Sequence, residues 1–338
     1  MRLLICAWAL LTGMCAPLLR AAQPVTLAVP GPGSLNYLPI ELIKKIGADR
    51  AEGLDLRLRY FSGGPLAVRD MLEGYSDFAV LGAPALAEFA ARGEPVVSLA
   101  AVSRRPAFVL MVASRLKGEV RRVADLRGRV IGINSSNRQA RSTSQQMAEH
   151  LLRRAGVDPD KEVNFLAAGQ TLEEQRAALA SGAVDALMGD EPFASQLRKE
   201  GVAFYLLDLH EPEVSRRLLG GDEFLYAQLA TRRDLLMREP DKAARMVRAL
   251  RRSLEWIART TPQAIVAQLD SPDVGSRHVM LDLLRRHKDL FSPDGSFTRE
   301  QLRTVEAFYR ANQTAEPAAS RFAFETLIEP RYAGLRTR

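Results

Sequence analysis

The sequence predicts an α/β chain of two similar lobes, each a mainly parallel sheet flanked by helices, with a helical C-terminal tail. Three observations carry this. Strand, loop and helix patterns follow one another three times between Val25 and Ala91, which argues a parallel sheet. Gly74, Asp77 and Pro84 recur as Gly182, Asp185 and Pro192, each 108 residues on, which suggests a second lobe built like the first. Beyond Ala230 the apolar spacing turns to the helical period.

Val25 to Val29 reads as a strand, Pro30-Gly31-Pro32-Gly33-Ser34 as a loop, and Leu35 to Ile46 as a helix closed by Gly47. Leu54 to Tyr60 alternates with period two and ends in Phe61-Ser62-Gly63-Gly64-Pro65, where Pro65 suits a first helical position. Asp77 to Leu81 is the third strand, Gly82-Ala83-Pro84 its turn, and Ala85 to Ala91 a helix. Val96 to Val102 and Phe108 to Ala113 are further apolar strands, with a crossing between lobes near Ala113. Phe224 to Ala230 returns as a strand, and everything after it reads as helical: long helices from Pro240 and Thr298, shorter ones from Thr261-Pro262 and Pro272. The expected boundaries are a leader over 1–22, lobe I over 23–112, lobe II over 113–221, and a return to lobe I with the C-terminal helices over 222–338.

Composition is that of a globular protein, with 47% hydrophobic and 26% charged residues in 338. Arg2 followed by the apolar run Leu3 to Leu19 and by Ala21-Ala22 predicts a secretory signal cleaved near Ala22, and so a periplasmic protein. Gly13 and Pro17 interrupt a run already short for a bilayer span. Arg20 is an imperfect residue for the cleavage site, and Met14 fits poorly before a lipidated Cys15. Both cysteines, Cys6 and Cys15, fall in the leader, so the mature chain has no thiol for a disulfide, a nucleophile or a metal. The formal charge of +7 is dispersed along the chain, which argues against a nucleic-acid groove.

The stretch Gly132 to Ser144 joins an apolar strand to an amphipathic helix and gathers hydroxyls at the helix N-terminus. Ser142 with Gln145, or Thr143 with Gln146, has the capping-box spacing. Such an end attracts negative charge or lone pairs. Ser34, Asn36 and Tyr37 stand before a helix in the same way. Asp190 and Glu191 could serve acid/base work, though neighbouring acids at a helix start more often complement its dipole. Gly31-x-Gly33-x-x-Asn36 misses a dinucleotide fingerprint, and Pro32 removes a backbone donor. His150, His210, His278 and His287 are too scattered for a metal site or a triad. No cofactor is expected. In open α/β sheets ligands bind outside the carboxyl ends of the strands, where these loops lie, so two facing lobes make a binding cleft.

These residues resemble the periplasmic solute-binding proteins of the nitrate/sulfonate/taurine type, which share their fold with thiamine-pyrimidine precursor binding proteins. The resemblance runs through Gly63-Gly64-x-x-Ala67, Gly74-x-x-Asp77-Phe78-Ala79, Ala124 to Gly132, Gly182-x-Val184-Asp185-Ala186 and Glu191-Pro192-Phe193. It implies a two-lobed periplasmic binding protein type II fold. The implied function is capture of a small polar or anionic solute, sulfonate, nitrate or taurine-like, for delivery to the membrane permease of an ABC importer. It implies no enzyme and no nucleic-acid partner, and a monomer is expected. Carried over by position, the cleft walls are Ser34, Asn36 and Tyr37, the Gly63-Gly64 and Gly82-Ala83 turns, Ser135, Asn137, Arg138, Arg141 and Ser142, the Asp190-Glu191 turn, and Tyr226. Where the family often has a Gly-Ser-Thr-Ser-like loop, this chain has Ser135 to Ser142 with two arginines, which suits a larger or more acidic solute if Arg138 or Arg141 faces inward. The rivals are an enzyme on the same fold, of pyrimidine-precursor or menaquinone-pathway type, and a solute-sensing module.

Overall fold

The computed structural model describes residues 22–135, 141–270, 274–313 and 322–336. Strands β1 (Gln23–Pro30), β2 (Leu54–Phe61), β3 (Phe78–Gly82) and β4 (Val96–Ala101) precede β5 (Phe108–Ala113), β6 (Val130–Ile133), β7 (Asn164–Ala167), β8 (Ala186–Asp190) and β9 (Ala203–Asp208), and β10 (Ala227–Arg232) follows. They form two five-stranded sheets, in the orders β2-β1-β3-β10-β4 and β7-β6-β8-β5-β9. Within each sheet three successive strands pair in parallel, and one strand runs antiparallel to both its neighbours: β10 in the first, β5 in the second. The sheets are therefore mixed, and the exchanged strand marks where the chain passes between them.

The passage comes earlier than the crossing expected near Ala113. Phe108–Ala113 already belongs to the second sheet, so the chain crosses between Ala101 and Phe108. It returns between Asp208 and Ala227, and the two crossing segments bond to each other through Phe224 N to Arg104 O at 2.8 Å and Val102 N to Ala227 O at 2.8 Å.

The repeat at 108 residues is structural. β3 and β8 coincide under that shift, and Gly74 and Gly182 both turn with positive φ, 85° and 80°. Asp77 accepts a hydrogen bond from Thr26 N of β1 at 2.9 Å, and Asp185 accepts one from Val130 N of β6 at the same distance. Each carboxylate, just ahead of its own strand, thus ties that strand to the backbone of a parallel neighbour, by a bond that buried backbone donors require.

Packing follows the pleat. Along β5, Leu110 and Val112 join the large core shared with the first sheet, whereas Val109 and Met111 face a second cluster with Leu187 and Leu197. The helix Pro240–Arg259 buries Ala243, Met246, Val247, Leu250, Leu254 and Ile257, the stripe its spacing predicts. Helices Pro262–Val266, Val274–His287 and Arg299–Ala311 follow, capped by Thr261 and Thr298 in the first and last cases. The tail is not purely helical: β11 (Phe297–Thr298) pairs in parallel with β12 (Leu335–Arg336). The start expected at Pro272 lies outside the described residues.

Candidate functional site

The loops at the carboxyl ends of the parallel strands meet between the sheets. Ser34 ends the loop after β1 and caps the turn Leu35–Tyr37, its Oγ accepting from Asn36 N at 3.3 Å. The equivalent residue 108 positions later, Ser142, caps the helix Thr143–Arg154 by accepting from Gln145 N at 3.3 Å. The Ser142-Gln145 spacing of the sequence is the cap the structure uses.

Each cap meets the strand end of the opposite sheet. Ser34 Oγ donates to Asp190 Oδ2, at the end of β8, at 2.6 Å. Thr143, next to the second cap, lies on Gly82 at the end of β3: a Cβ at Gly82 would stand 2.2 Å from Thr143 Oγ1. Gly63 and Ser135 make a second such contact, since a Cβ at Gly63 would stand 2.2 Å from Ser135 Oγ. These contacts hold the lobes together on a remaining cavity of about 20 Å³, walled by Tyr37, Gly63, Gly64 and Gly82, by Phe108 and Tyr226, and by Asn134, Ser142, Thr143, Ser144 and Gln170.

Several polar atoms here are buried without a partner: Asn36 Nδ2, Asn134 Oδ1, Ser135 Oγ, Thr143 Oγ1 and Asp190 Oδ1. Leaving such groups unpaired costs roughly 1–3 kcal/mol each. Two of them, on Asn134 and Thr143, line the cavity, which at its present size has room for about one water and admits a solute only when the lobes part. Burial pushes the Asp190 carboxyl up to about 6, against the downward pull of the Ser34 bond. Burial also raises Tyr37 and Tyr226 above their ordinary value, and their hydroxyls bond to each other. Phe108 packs edge-on against Tyr226, with ring centroids 5.3 Å apart.

The remaining expected residues take other places. Asn36 Oδ1 accepts from Ala107 N at 3.0 Å, tying the first loop to the crossing segment. Ala83 N donates to Tyr226 O at 2.6 Å, a backbone support behind the cavity wall. Glu191 is taken up inside its own lobe, accepting from Ser195 N at 3.0 Å, Ser195 Oγ at 2.9 Å and Tyr205 OH at 2.8 Å. Arg141 points to acids: Nη2 to Glu88 Oε1 at 2.6 Å and Nη1 to Glu149 Oε2 at 2.9 Å, with Asn312 O at 3.1 Å. Burial works against its charge, but Glu88 and Glu149 raise its pKa. Its side chain is thus a strut between helices. Asn137 and Arg138 lie outside the described residues. Asn134, Thr143, Ser144, Phe108 and Gln170 are not among the expected cleft residues; the first three sit in the Gly132 to Ser144 stretch, where the spacing offers Thr143 only as a helix cap, and Gln170 carries no signal.

A larger groove of about 680 Å³ opens beside the cavity, between Leu38, Tyr60, Phe193, Val266 and Met280. Glu41 in its wall accepts from Gly33 N at 2.8 Å, and burial raises its carboxyl to about 7. None of the unpartnered loop hydroxyls opens into it, so the smaller cavity is the better candidate. Among the described residues no group of three His, Cys, Asp or Glu could hold a metal ion, and no helix is long and apolar enough to cross a membrane.

Residues 50–264 match the family model described as NMT1/THI5 like. No curated protein matches the sequence. Among solved structures, a protein from Bordetella bronchiseptica superposes with a TM-score of 0.83 at 22% identity, over 93% of this chain and 96% of that one. The alkanesulfonate-binding protein SsuA from Xanthomonas axonopodis gives 0.67 at 18% identity, over 87% and 95%. The periplasmic nitrate-binding protein NrtA from Synechocystis gives 0.68 at 12% identity, over 88% and 84%. The chain is similar to these in fold: two mixed sheets flanked by helices, in the two-lobed arrangement of periplasmic binding proteins.

Proposed function

The chain belongs to the NMT1/THI5-like family, and from that premise we propose that it is an exported solute-binding protein of an ABC importer. It captures a small polar solute, sulfonate, nitrate or taurine-like in size, between its lobes and delivers it to a membrane permease. It works as a periplasmic monomer. The observation that carries this reading is the seam between the lobes, where Ser34 meets Asp190, Thr143 meets Gly82 and Ser135 meets Gly63 around a cavity that Asn134 and Thr143 line with buried, unpartnered oxygens. Closing around a solute replaces water with fixed donors and acceptors, and capture needs no nucleophile. Affinity in the micromolar range requires about −8 kcal/mol, which a few charge-assisted hydrogen bonds supply after the cost of ordering.

Thermal unfolding of the purified protein against a panel of sulfonates, nitrate, amino-sulfonates, carboxylates and pyrimidines tests the reading. One chemical class is expected to raise Tm by several degrees, on the order expected from mass action at saturating solute. Nuclear magnetic resonance of the same mixtures is expected to return the solute unchanged; accumulation of a product would replace capture with catalysis.

A further inference from the structure

Resting on the capture reading above, we infer that the solute brings a nitrogen-borne hydrogen-bond donor, an amine or the amino group of a heterocycle, to the Asp190 carboxylate, and that anions lacking such a group are poor ligands. Asp190 stands opposite Phe108 in the antiparallel pair of β8 and β5. Cross-strand partners point to the same face, so Asp190 shares the face of the sheet from which Phe108 lines the cavity, and it lies close enough to the lining residues Tyr37 and Tyr226 to act on their hydroxyls. Ser34 engages Oδ2, whereas Oδ1, in a residue 1% exposed, makes no hydrogen bond of normal geometry, although, against the larger effect of burial, the Gln175 side chain stands close enough to lower the carboxyl's pKa.

The surroundings set the sign of the missing partner. None of the described residues lining the cavity is Lys or Arg. Arg105 and Arg141 nearby in the chain are spent on Asp289 and on Glu88 and Glu149. Burial first, then their mutual contact, and last the Asp190 charge act on Tyr37 and Tyr226, so the acid is felt at both lining hydroxyls. An anion closed into this space would meet a carboxylate with no described cation between them. Asn134 Oδ1 is a second unfilled acceptor, and the Ser135 and Thr143 hydroxyls turn to either role. At the equivalent position of the other lobe stands Gly82, so only one end of the cavity carries the acid. The helix N-terminus at Thr143, with its hydroxyls, faces the other end and suits an acceptor group on the same solute.

Isothermal titration with matched pairs tests this: taurine against ethanesulfonate, β-alanine against propionate, 4-aminopyrimidine against pyrimidine. In the pair that fits, the amino member is expected to bind at least about tenfold more tightly, the scale of one charge-assisted hydrogen bond. Asp190→Asn is expected to reduce that preference to within about twofold, the amino member losing more affinity than its counterpart. If Asp190→Asn does not fold by circular dichroism, the parent protein carries the test: its preference for taurine over ethanesulfonate is expected to shrink as the pH falls and Asp190 takes up a proton, and a preference unchanged between about pH 7.5 and about pH 4 overturns the inference. Equal or tighter binding of the member without the amino group overturns the inference and leaves capture standing. So does a loss in Asp190→Asn that is equal for both members, since Asp190 would then act only as a contact between lobes. Binding by no member of any pair removes the capture reading itself.

Discussion

Gly82 has φ −67° and ψ 137°, a backbone any residue adopts, so what excludes a side chain there is Thr143 across the cleft. Gly82→Ala is therefore expected to leave the melting temperature within a degree or two of the parent while weakening solute binding by about tenfold or more, because the new methyl is harmless until the lobes close. Titration paired with thermal unfolding checks it, and a large fall in Tm with unchanged affinity would show that the contact is merely structural. Asp190 makes a pH-dependent prediction. Its carboxyl is raised by burial to about 6, so the folded chain holds a proton more firmly than the unfolded one. That stability is complete below about pH 4 and is lost as the pH rises through about 6. Asp190→Asn is expected to be more stable than the parent at pH 7.5, by up to about 3 kcal/mol, with no gain at pH 4. Urea denaturation at the two pH values measures the difference; an equal change at both contradicts it. Hydroxyl-rich loops were legible from residue type, but which atoms lack partners was not. Gln170 approaches Gly31 and Asn134 from a loop with no motif, and only the folded chain brings them together.

The helix Thr143–Arg154 is the element in which reading from sequence went furthest and then failed. Its cap and its apolar face follow from local spacing, and Ser142→Ala is expected to cost about 1 kcal/mol in urea denaturation. Arg141, one residue before the cap, suggested an anion site because its partners are remote in sequence. Glu88 is 53 residues away and Asn312 is 171. Arg141→Met strips the nearer cation from Glu149, which is 3% exposed and keeps the 2.9 Å hydrogen bond from Gln145 Nε2 and the longer 3.6 Å contact with Arg153. A loss of about 3 kcal/mol is expected, as for a buried pair broken on one side, and restoring a hydrocarbon partner with Glu149→Leu is expected to recover much of it. A double-mutant cycle measures the coupling; additive losses would place the two residues in separate interactions.

At the scale of the molecule, the 108-residue echo made the two lobes visible, whereas the exchanged antiparallel strands were not, since β5 and β10 read like any apolar strand and their direction depends on pairing far along the chain. Asp77 and Asp185 do the same work in separate sheets without shared partners. Asp77→Ala and Asp185→Ala are each expected to cost about 2 kcal/mol, and the double variant about their sum. A coupling above about 0.5 kcal/mol in denaturant titration would mean that the lobes do not respond independently. The crossing segments bonded side by side at Val102–Ala227 and Arg104–Phe224 act as two adjacent pins, which leave the lobes one swing about one line. If the lobes close on a solute as proposed, a single pair of fluorophores, one on each lobe, is expected to report the whole motion, and the chain would then serve as an optical sensor for that solute.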